Sequence, residues 1–415
     1  MKARTKKSAL VLGIIVIPAL LGAFYLFSET PSGIITQDTE FTNDDSSYEK
    51  DFVFAFYSEI AKDSPESNLF LSPFSISTAF SMAYEGAAGN TASEMQQVFG
   101  FISDDQKRRE SISDTLARLD SKNDLYKLQI ANALWVKDGY QIKQDYLDTA
   151  TTYYDSTVDN VDFVTNDGVN KINRWTSEKT QGKIKDVLAP DSTDELTRMV
   201  ITNAIYFKGK WGNQFNPGNT SDKLFWLDKD KSVTVPMMKS PADMFNYYET
   251  KDLQAIKMYY VGGDISMIVL LPKDKNGLGS LEDSLNMQKL DFIRDMMTMQ
   301  PLTIQMPKFE FETEYKLVDS LENLGIHDAF DENNADFQGM TGEQVYLDQA
   351  IHKAFVNVNE EGTEAAAITA LVFRLTSGPP EPRHEFIADH PFVFIIQENN
   401  TGEILFIGRL ANPLI

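Results

Sequence analysis

From Tyr48 to Ile415 the chain runs without a Pro/Gly-rich linker, a break in composition or a repeat of fixed period. About 370 residues must therefore share one folded unit, well above the common domain size. The order of patterns inside that stretch sets its class. Phe52, Val53, Phe54, Phe56, Tyr57 and Ile60 recur at helical spacing, as do Ile76, Ala79, Phe80, Met82 and Ala83 after Ser72-Pro73, and Thr91-Ala92-Ser93-Glu94 reads as a capping box opening a further helix. Strand patterns follow. Leu128–Val136 begins with alternation, Met199–Phe207 is β-branched and aromatic, and Ile265–Leu271 and Leu302–Met306 each stop at a proline. Phe392–Ile396 and Ile404–Gly408, separated by Asn399-Asn400-Thr401-Gly402, read as a buried hairpin. Helices first and strands later, without β-α alternation, predict an α+β fold.

Composition removes several function classes. Against 38 Lys+Arg stand 61 Asp+Glu, a net charge of -23 that leaves no basic surface for a phosphate backbone, so nucleic acid is not expected as a partner. There is no cysteine and there are four histidines, so disulfides and cysteine nucleophiles are excluded and no metal or cofactor site is expected.

At the N-terminus, Lys2, Arg4, Lys6 and Lys7 precede an uncharged apolar run, Ala9–Phe27, that as a helix spans about 28 Å. Residues 1–28 are read as a signal anchor, with a cleaved signal peptide as the alternative; large residues at Phe24-Tyr25-Leu26-Phe27 favour the anchor. Residues 29–47 are too polar to pack and read as a flexible tether to a domain at 48–415. The domain is expected outside the cytoplasm, membrane-anchored or secreted. Export without cysteine favours a prokaryotic envelope.

No nucleophile elbow, zinc-protease His pair, phosphate loop or dinucleotide fingerprint is present. His352 is the best triad material, but one histidine among hydroxyls reads better as a satisfied buried group. Asp104-Asp105 and Asp328 with Asp331 lack the ordered spacing of a calcium loop and read as solvated faces.

The segment Asn359–Pro382 does not read as ordinary connecting chain. As a strand, one face is Thr363, Ala365, Ala367, Thr369, Leu371 and Phe373; the other carries both charges, Glu364 and Arg374, with Ala366, Ile368, Ala370 and Val372 between them. Its end, Ser377-Gly378-Pro379-Pro380-Glu381-Pro382, suits an exposed, extended, cleavable stretch. The segment suits exposed loop and buried strand alike.

At this point the chain resembles the serpin family from about residue 48 to its end. Asn359–Ala367 looks like the family's reactive-loop hinge, and Phe386–Ile396, with Ala388-Asp389-His390-Pro391, is similar to its C-terminal signature. Asn68–Ile76, Thr202–Trp211, and Leu324-Gly325-Ile326 followed by Ala335-Asp336-Phe337 match further family motifs in order. The resemblance implies about nine helices, three β-sheets and an exposed reactive-centre loop. It also implies a suicide inhibitor of serine endopeptidases rather than an enzyme: the target cleaves the loop, and the acyl-enzyme is trapped as the loop enters the main sheet. A cysteine protease is the alternative target, a non-inhibitory binding or structural serpin the alternative function, and a monomer the expected state.

By the same resemblance the hinge comprises Glu360, Gly362, Thr363, Glu364, Ala365, Ala366, Ala367 and Thr369, with Gly362 giving the turn where the loop leaves its strand. Small inward residues are needed because a large or charged side chain would overpack the core or be stranded there. About ten new ladder hydrogen bonds would contribute on the order of 10 kcal/mol. Ser72, Ser75, Asn203 and His352 fall on the family's shutter and Trp211 on its breach. The usual spacing puts the cut between Thr376 and Ser377, with Arg374 as the alternative. The loop is a few residues long for the family and proline-rich, and Ile368 is bulkier than expected.

Overall fold

The computed structural model describes residues 46–119, 126–363 and 384–415. The N-terminal anchor and nearly all of the tether lie outside the described residues, as do Glu364, Ala365, Ala366, Ala367, Thr369, Arg374, Thr376 and Ser377. Among the described residues nine α-helices form: α1 (Ser46–Asp63), α2 (Pro73–Tyr84), α3 (Gly89–Phe99), α4 (Asp105–Leu119), α5 (Gln144–Tyr154), α6 (Asn166–Lys179), α7 (Leu278–Asp283), α8 (Met287–Met296) and α9 (Val318–Leu324). None of the described helices is long and apolar enough to cross a membrane.

The strands are β1 (Leu69–Leu71), β2 (Tyr126–Lys137), β3 (Thr157–Val161), β4 (Met199–Lys210), β5 (Ser221–Trp226), β6 (Ser232–Lys239), β7 (Asp243–Glu249) and β8 (Leu253–Tyr259). They continue with β9 (Ile265–Pro272), β10 (Thr298–Pro307), β11 (Phe309–Lys316), β12 (Gln349–Val358), β13 (Gly362–Thr363), β14 (His384–Ile387), β15 (Phe392–Glu398) and β16 (Ile404–Leu410). Each strand expected above is present, and β15 and β16 form the expected antiparallel hairpin.

Hydrogen bonding joins these strands into two sheets. The main sheet has the order β11-β12-β13-β4-β2-β3; the other runs β1-β16-β15-β9-β8-β7-β10-β6-β5, with β14 beside β10. The expected third sheet is not separate among the described residues, because β10 spans both regions. Its first half pairs with β7 over Thr298–Leu302 and its last residues with β6 over Gln305–Pro307.

Helix α2 carries the main sheet's inner face. Ten of its residues are buried, so it is enclosed on nearly all sides and belongs inside the domain. Ser72 caps it, accepting the Ser75 N–H, and Pro73 sits where a missing N–H costs nothing. Helix α3 corrects an expectation: it begins at Gly89, so Thr91 is not its cap. Asp336 O takes the Ala88 N–H at 2.9 Å, and Thr91 Oγ1 and Glu94 are left to accept backbone N–H groups of Asp336, His327 and Asp328. A tertiary partner supplies the cap that local pattern assigned to a side chain.

Strand β4 is buried along nearly its whole length, which explains its unbroken apolar run. Its odd-numbered residues face α2 and the second sheet, where Ile205 and Phe207 join one core. The even-numbered Val200 and Ala204 pack beneath Val187, Leu188 and Ile184, which follow α6.

Candidate functional site: a strand-shaped slot in the main sheet

The chemistry of the site lies in how β12, β13 and β4 are arranged. Strands β12 and β4 run parallel and pair directly from Gln349 opposite Val200 to Phe355 opposite Tyr206. Above that level they diverge, and β13 stands between them. Thr363 pairs with Val358 on one side and Gly209 on the other, and Gly362 with Lys210, antiparallel to both neighbours. A strand added below Thr363 would continue this antiparallel ladder on both sides.

The turn Asn359–Gly362 that delivers β13 is fastened by the chain after β4. Trp211 donates its backbone N–H to Glu361 O at 2.8 Å and its indole N–H to Asn359 O at 3.0 Å, and Phe215 N–H donates to Glu360 O at 2.9 Å. Gly362 is required by closeness more than by the turn. A Cβ there would meet Gly209 O at 2.0 Å and Lys210 Cα at 2.7 Å, so any side chain would force β13 off β4. Thr363 is 1% exposed, and its hydroxyl shares a 2.6 Å hydrogen bond with Tyr260, whose ring stacks on Trp211 at 4.5 Å. Burial pushes the Tyr260 phenol well up, so it stays protonated.

Glu360 is buried beside Lys308, with Nζ–Oε2 at 2.8 Å, and accepts the Thr220 hydroxyl at 2.7 Å. Burial opposes ionisation, but the Lys308 and Thr220 hydrogen bonds prevail and hold the carboxyl below its usual range. Glu360→Lys would place two cations in this corner. Because Lys308 is 38% exposed, solvent weakens the effect, and the expected loss is about 1 to 2 kcal/mol, read as a lower unfolding midpoint of the intact protein.

Beneath the closed part of the sheet lies a buried polar cluster. The structure brings Ser72, Ser75, Asn203 and His352 together at the start of α2 and adds Asn132, which sequence reasoning missed. The Ser72 N–H can only donate, so His352 Nε2 accepts it at 3.1 Å, and the ring proton sits on Nδ1, donated to Asn203 Oδ1. The Asn203 amide then donates to Ser75 Oγ at 2.5 Å, Ser75 O at 3.1 Å and Asn132 Oδ1. Ser72 Oγ donates to Leu405 O at 2.6 Å, tying the cluster to β16. His352 is fully buried and that burial lowers its pKa to about 3, so it is neutral. Both its nitrogens are committed, and neither is free to act on a substrate. Asn132 lies opposite Asn203 in the β2–β4 register. An Asn-Ala pair in two neighbouring strand patterns was the available signal. Tyr260 and Lys308 had none, since only folding brings them to the hinge.

The candidate cation clusters are otherwise employed. Asp104 accepts the Lys107 N–H, Asp105 pairs with Arg108, Asp328 accepts from Asn90, and Asp331 accepts two backbone N–H groups. His390 Nε2 bonds Pro272 O at 2.6 Å while Nδ1 faces Asp389 at 2.8 Å, so the C-terminal motif braces the end of β9.

Strand β13 is thus seated antiparallel between two strands that pair directly below it, over a buried polar cluster at the start of α2. The chain belongs to the serpin family: residues 47–413 match the family described as "Serpin (serine protease inhibitor)". It is 39% identical over 367 residues to an uncharacterized serpin-like protein of Thermococcus kodakarensis, covering 87% of this chain and 84% of that protein. It is 38% identical over 372 residues to a leukocyte elastase inhibitor of Xenopus laevis, covering 87% and 97%. Among solved structures it is similar to Serpin48 of the insect Tenebrio molitor, with a TM-score of 0.80 at 32% identity over 90% of this chain and 99% of that one.

Proposed function

We propose that this chain inhibits serine endopeptidases by a suicide mechanism, with its reactive bond between Thr376 and Ser377 or after Arg374. The target's serine oxygen would attack the carbonyl carbon of that residue, forming an ester as the peptide bond breaks and the amine of the next residue leaves. The freed strand would then enter between β12 and β4, carrying the tethered enzyme with it before water hydrolyses the ester.

The observation that carries this reading is the position of β13, which already occupies the first rungs of the slot. A strand continuing that register on insertion would have Ala365 and Ala367 on the inward face with Thr363, and Thr369 level with both Asn203 and His352. The hinge would then meet the core with small side chains, and a hydroxyl would arrive where the buried polar cluster can bond it. In the same register Ile368 would come to the outer face, level with Ala204 and Lys353, where Ile184 already covers Ala204. The bulk of Ile368 thus has apolar company on insertion. Membership of a family of serine protease inhibitors and the likeness to a leukocyte elastase inhibitor favour the same reading.

Incubation with trypsin-, chymotrypsin-, elastase- and subtilisin-like enzymes is expected to give a covalent complex that survives denaturant. If every enzyme only cleaves the loop and keeps its activity, the proposal fails. The apolar run at 9–27 supports a domain held outside the cell, or secreted if that run is removed, and export without cysteine supports a prokaryotic member. Intact mass of the mature protein separates these two forms.

A further inference from the structure

The pattern Asn-x-Ser/Thr, the acceptor signal for an N-linked glycan, occurs twice in the chain, at Asn219-Thr220-Ser221 and at Asn399-Asn400-Thr401. The fold treats the two differently. Asn399 is spent on structure: its Nδ2 donates to Gly263 O at 2.8 Å, and its Oδ1 accepts from Ser266 Oγ at 2.7 Å and Gln397 Nε2 at 3.1 Å. Thr401 donates its hydroxyl to Glu398 at 2.6 Å. Both polar ends of that pattern are thus committed, in the turn of the β15–β16 hairpin.

Asn219 is the opposite case. It is the last residue of a single 3-10 turn, Pro217–Asn219, just before β5. The turn itself is held: Asn216 Oδ1 accepts the Gly218 N–H at 2.9 Å, the Asn219 N–H donates to Asn216 O at 2.8 Å, and the Thr220 hydroxyl donates to Glu360 at 2.7 Å. Asn219 and Ser221 are both exposed, and among the described residues neither the amide of the one nor the hydroxyl of the other has a hydrogen-bond partner. Thr220 between them is extended (φ -76°, ψ 130°), the backbone state in which residues two apart share a side. A fixed backbone therefore presents a free amide beside a free hydroxyl.

The chain that follows Asn219 gives a glycan something to do. Strand β5 ends its sheet and pairs only with β6. Trp226 at its far end gives its N–H to Asp389 O at 2.7 Å, but at the near end Ser221, Asp222, Lys223 and Leu224 are all exposed, Leu224 at 50%. An open edge carrying an exposed leucine is a template for strand addition by another chain. A bulky, hydrated group rooted two residues before β5 would cover that edge.

We propose that Asn219 is an N-glycan acceptor and that its glycan shields the open edge of β5. The inference rests on the reading above that the domain lies outside the cell, where the donor would be a lipid-linked oligosaccharide. Asn219 Nδ2 forms the new bond to the anomeric carbon as that carbon's bond to the lipid-borne phosphate breaks. The amide gives up one hydrogen as a proton, and the lipid phosphate leaves. Asn399, with its amide and its threonine hydroxyl both in use, stays bare.

The test is peptide mass mapping of the full chain purified from its own cells, as wild type and as Asn219→Gln. The peptide spanning Asn219 is expected to carry an oligosaccharide mass that is wholly lost in the variant, and the Asn399 peptide to show its unmodified mass. A bare Asn219, or a glycan on Asn399 in its place, overturns the acceptor. Recovery of the chain from the medium, or its cleavage by trypsin added to intact cells, tells which reading has failed. A bare Asn219 on a chain found outside condemns the acceptor alone, whereas a chain shielded inside the cell ends the export reading as well. Shielding is read from the fraction aggregated on prolonged heating below the unfolding midpoint. Asn219→Gln is expected to aggregate at least about threefold more than the glycosylated protein at an unchanged midpoint, and adding Leu224→Lys to reverse most of that gain. Equal aggregation of the glycosylated and bare proteins overturns the shielding role.

Discussion

Thr363→Arg is expected to turn the inhibitor into a substrate: the target still cuts the loop, but the yield of covalent complex falls at least about tenfold. Thr363 is the last described residue before the loop, and it already sits in the sheet with its hydroxyl on Tyr260. An arginine there has two costly choices. Buried, its guanidinium would stand among Tyr260, Trp211 and Phe207 with no carboxylate partner, at several kcal/mol. Turned outward, it would lift the first rung of the strand off β12 and β4. Insertion competes with hydrolysis of the ester, and 1.4 kcal/mol added to the insertion barrier diverts about tenfold more of the flux. Densitometry of complex against cleaved inhibitor checks the partition, and an unchanged complex yield for Thr363→Arg speaks against insertion. Thr363→Ser, which keeps the hydroxyl and the small size, is expected to remain an inhibitor.

The second large effect is a loss of native stability in mild acid centred on His352. An unfolded histidine titrates near 6.5, whereas burial lowers the folded value to about 3. The unfolded chain therefore binds a proton between those values and the native chain does not. The contribution is complete above about pH 6.5 and is lost as pH falls toward 3, at about 1.4 kcal/mol per pH unit within that window. From pH 6.5 to pH 5 the expected loss is about 2 kcal/mol, before most carboxylates titrate. His352→Gln removes the titrating ring, so the difference in slope between it and wild type isolates this group. Parallel pH profiles for the two proteins would show that the cluster at the base of α2 is not the origin of the acid sensitivity.

Much of this was legible from residues alone, and the reasons differ by element. The apolar run Met199–Phe207 and the hairpin around Asn399–Gly402 are local patterns whose burial follows from composition, so their strands could be read directly. The small inward face from Thr363 onward was visible because period-two alternation needs no knowledge of neighbours. Ser72, Ser75, Asn203 and His352 could be proposed as one cluster only through family resemblance, since they come from three separate segments. The capping box at Thr91 misled because the helix starts earlier, at Gly89, and Thr91 and Glu94 accept N–H groups from Asp336, His327 and Asp328, far along the chain.

What the sequence by itself determined is an α+β fold carrying a segment whose pattern suits loop and strand alike. It also determined that His352 has too little company for catalysis. What only the tertiary structure decided is where β13, at the start of that segment, is seated. The parallel pairing of β12 with β4 stops at Phe355 and Tyr206, and β13 enters above it under the hold of Trp211, Phe215, Lys308 and Tyr260. Those groups lie far from the hinge in sequence. Their contribution is geometric: a strand start antiparallel to both neighbours and too close to β4 at Gly362 for any side chain. Alternation along one strand can say which side chains share a face, but only the pairing of strands distant in sequence sets which partner each will meet.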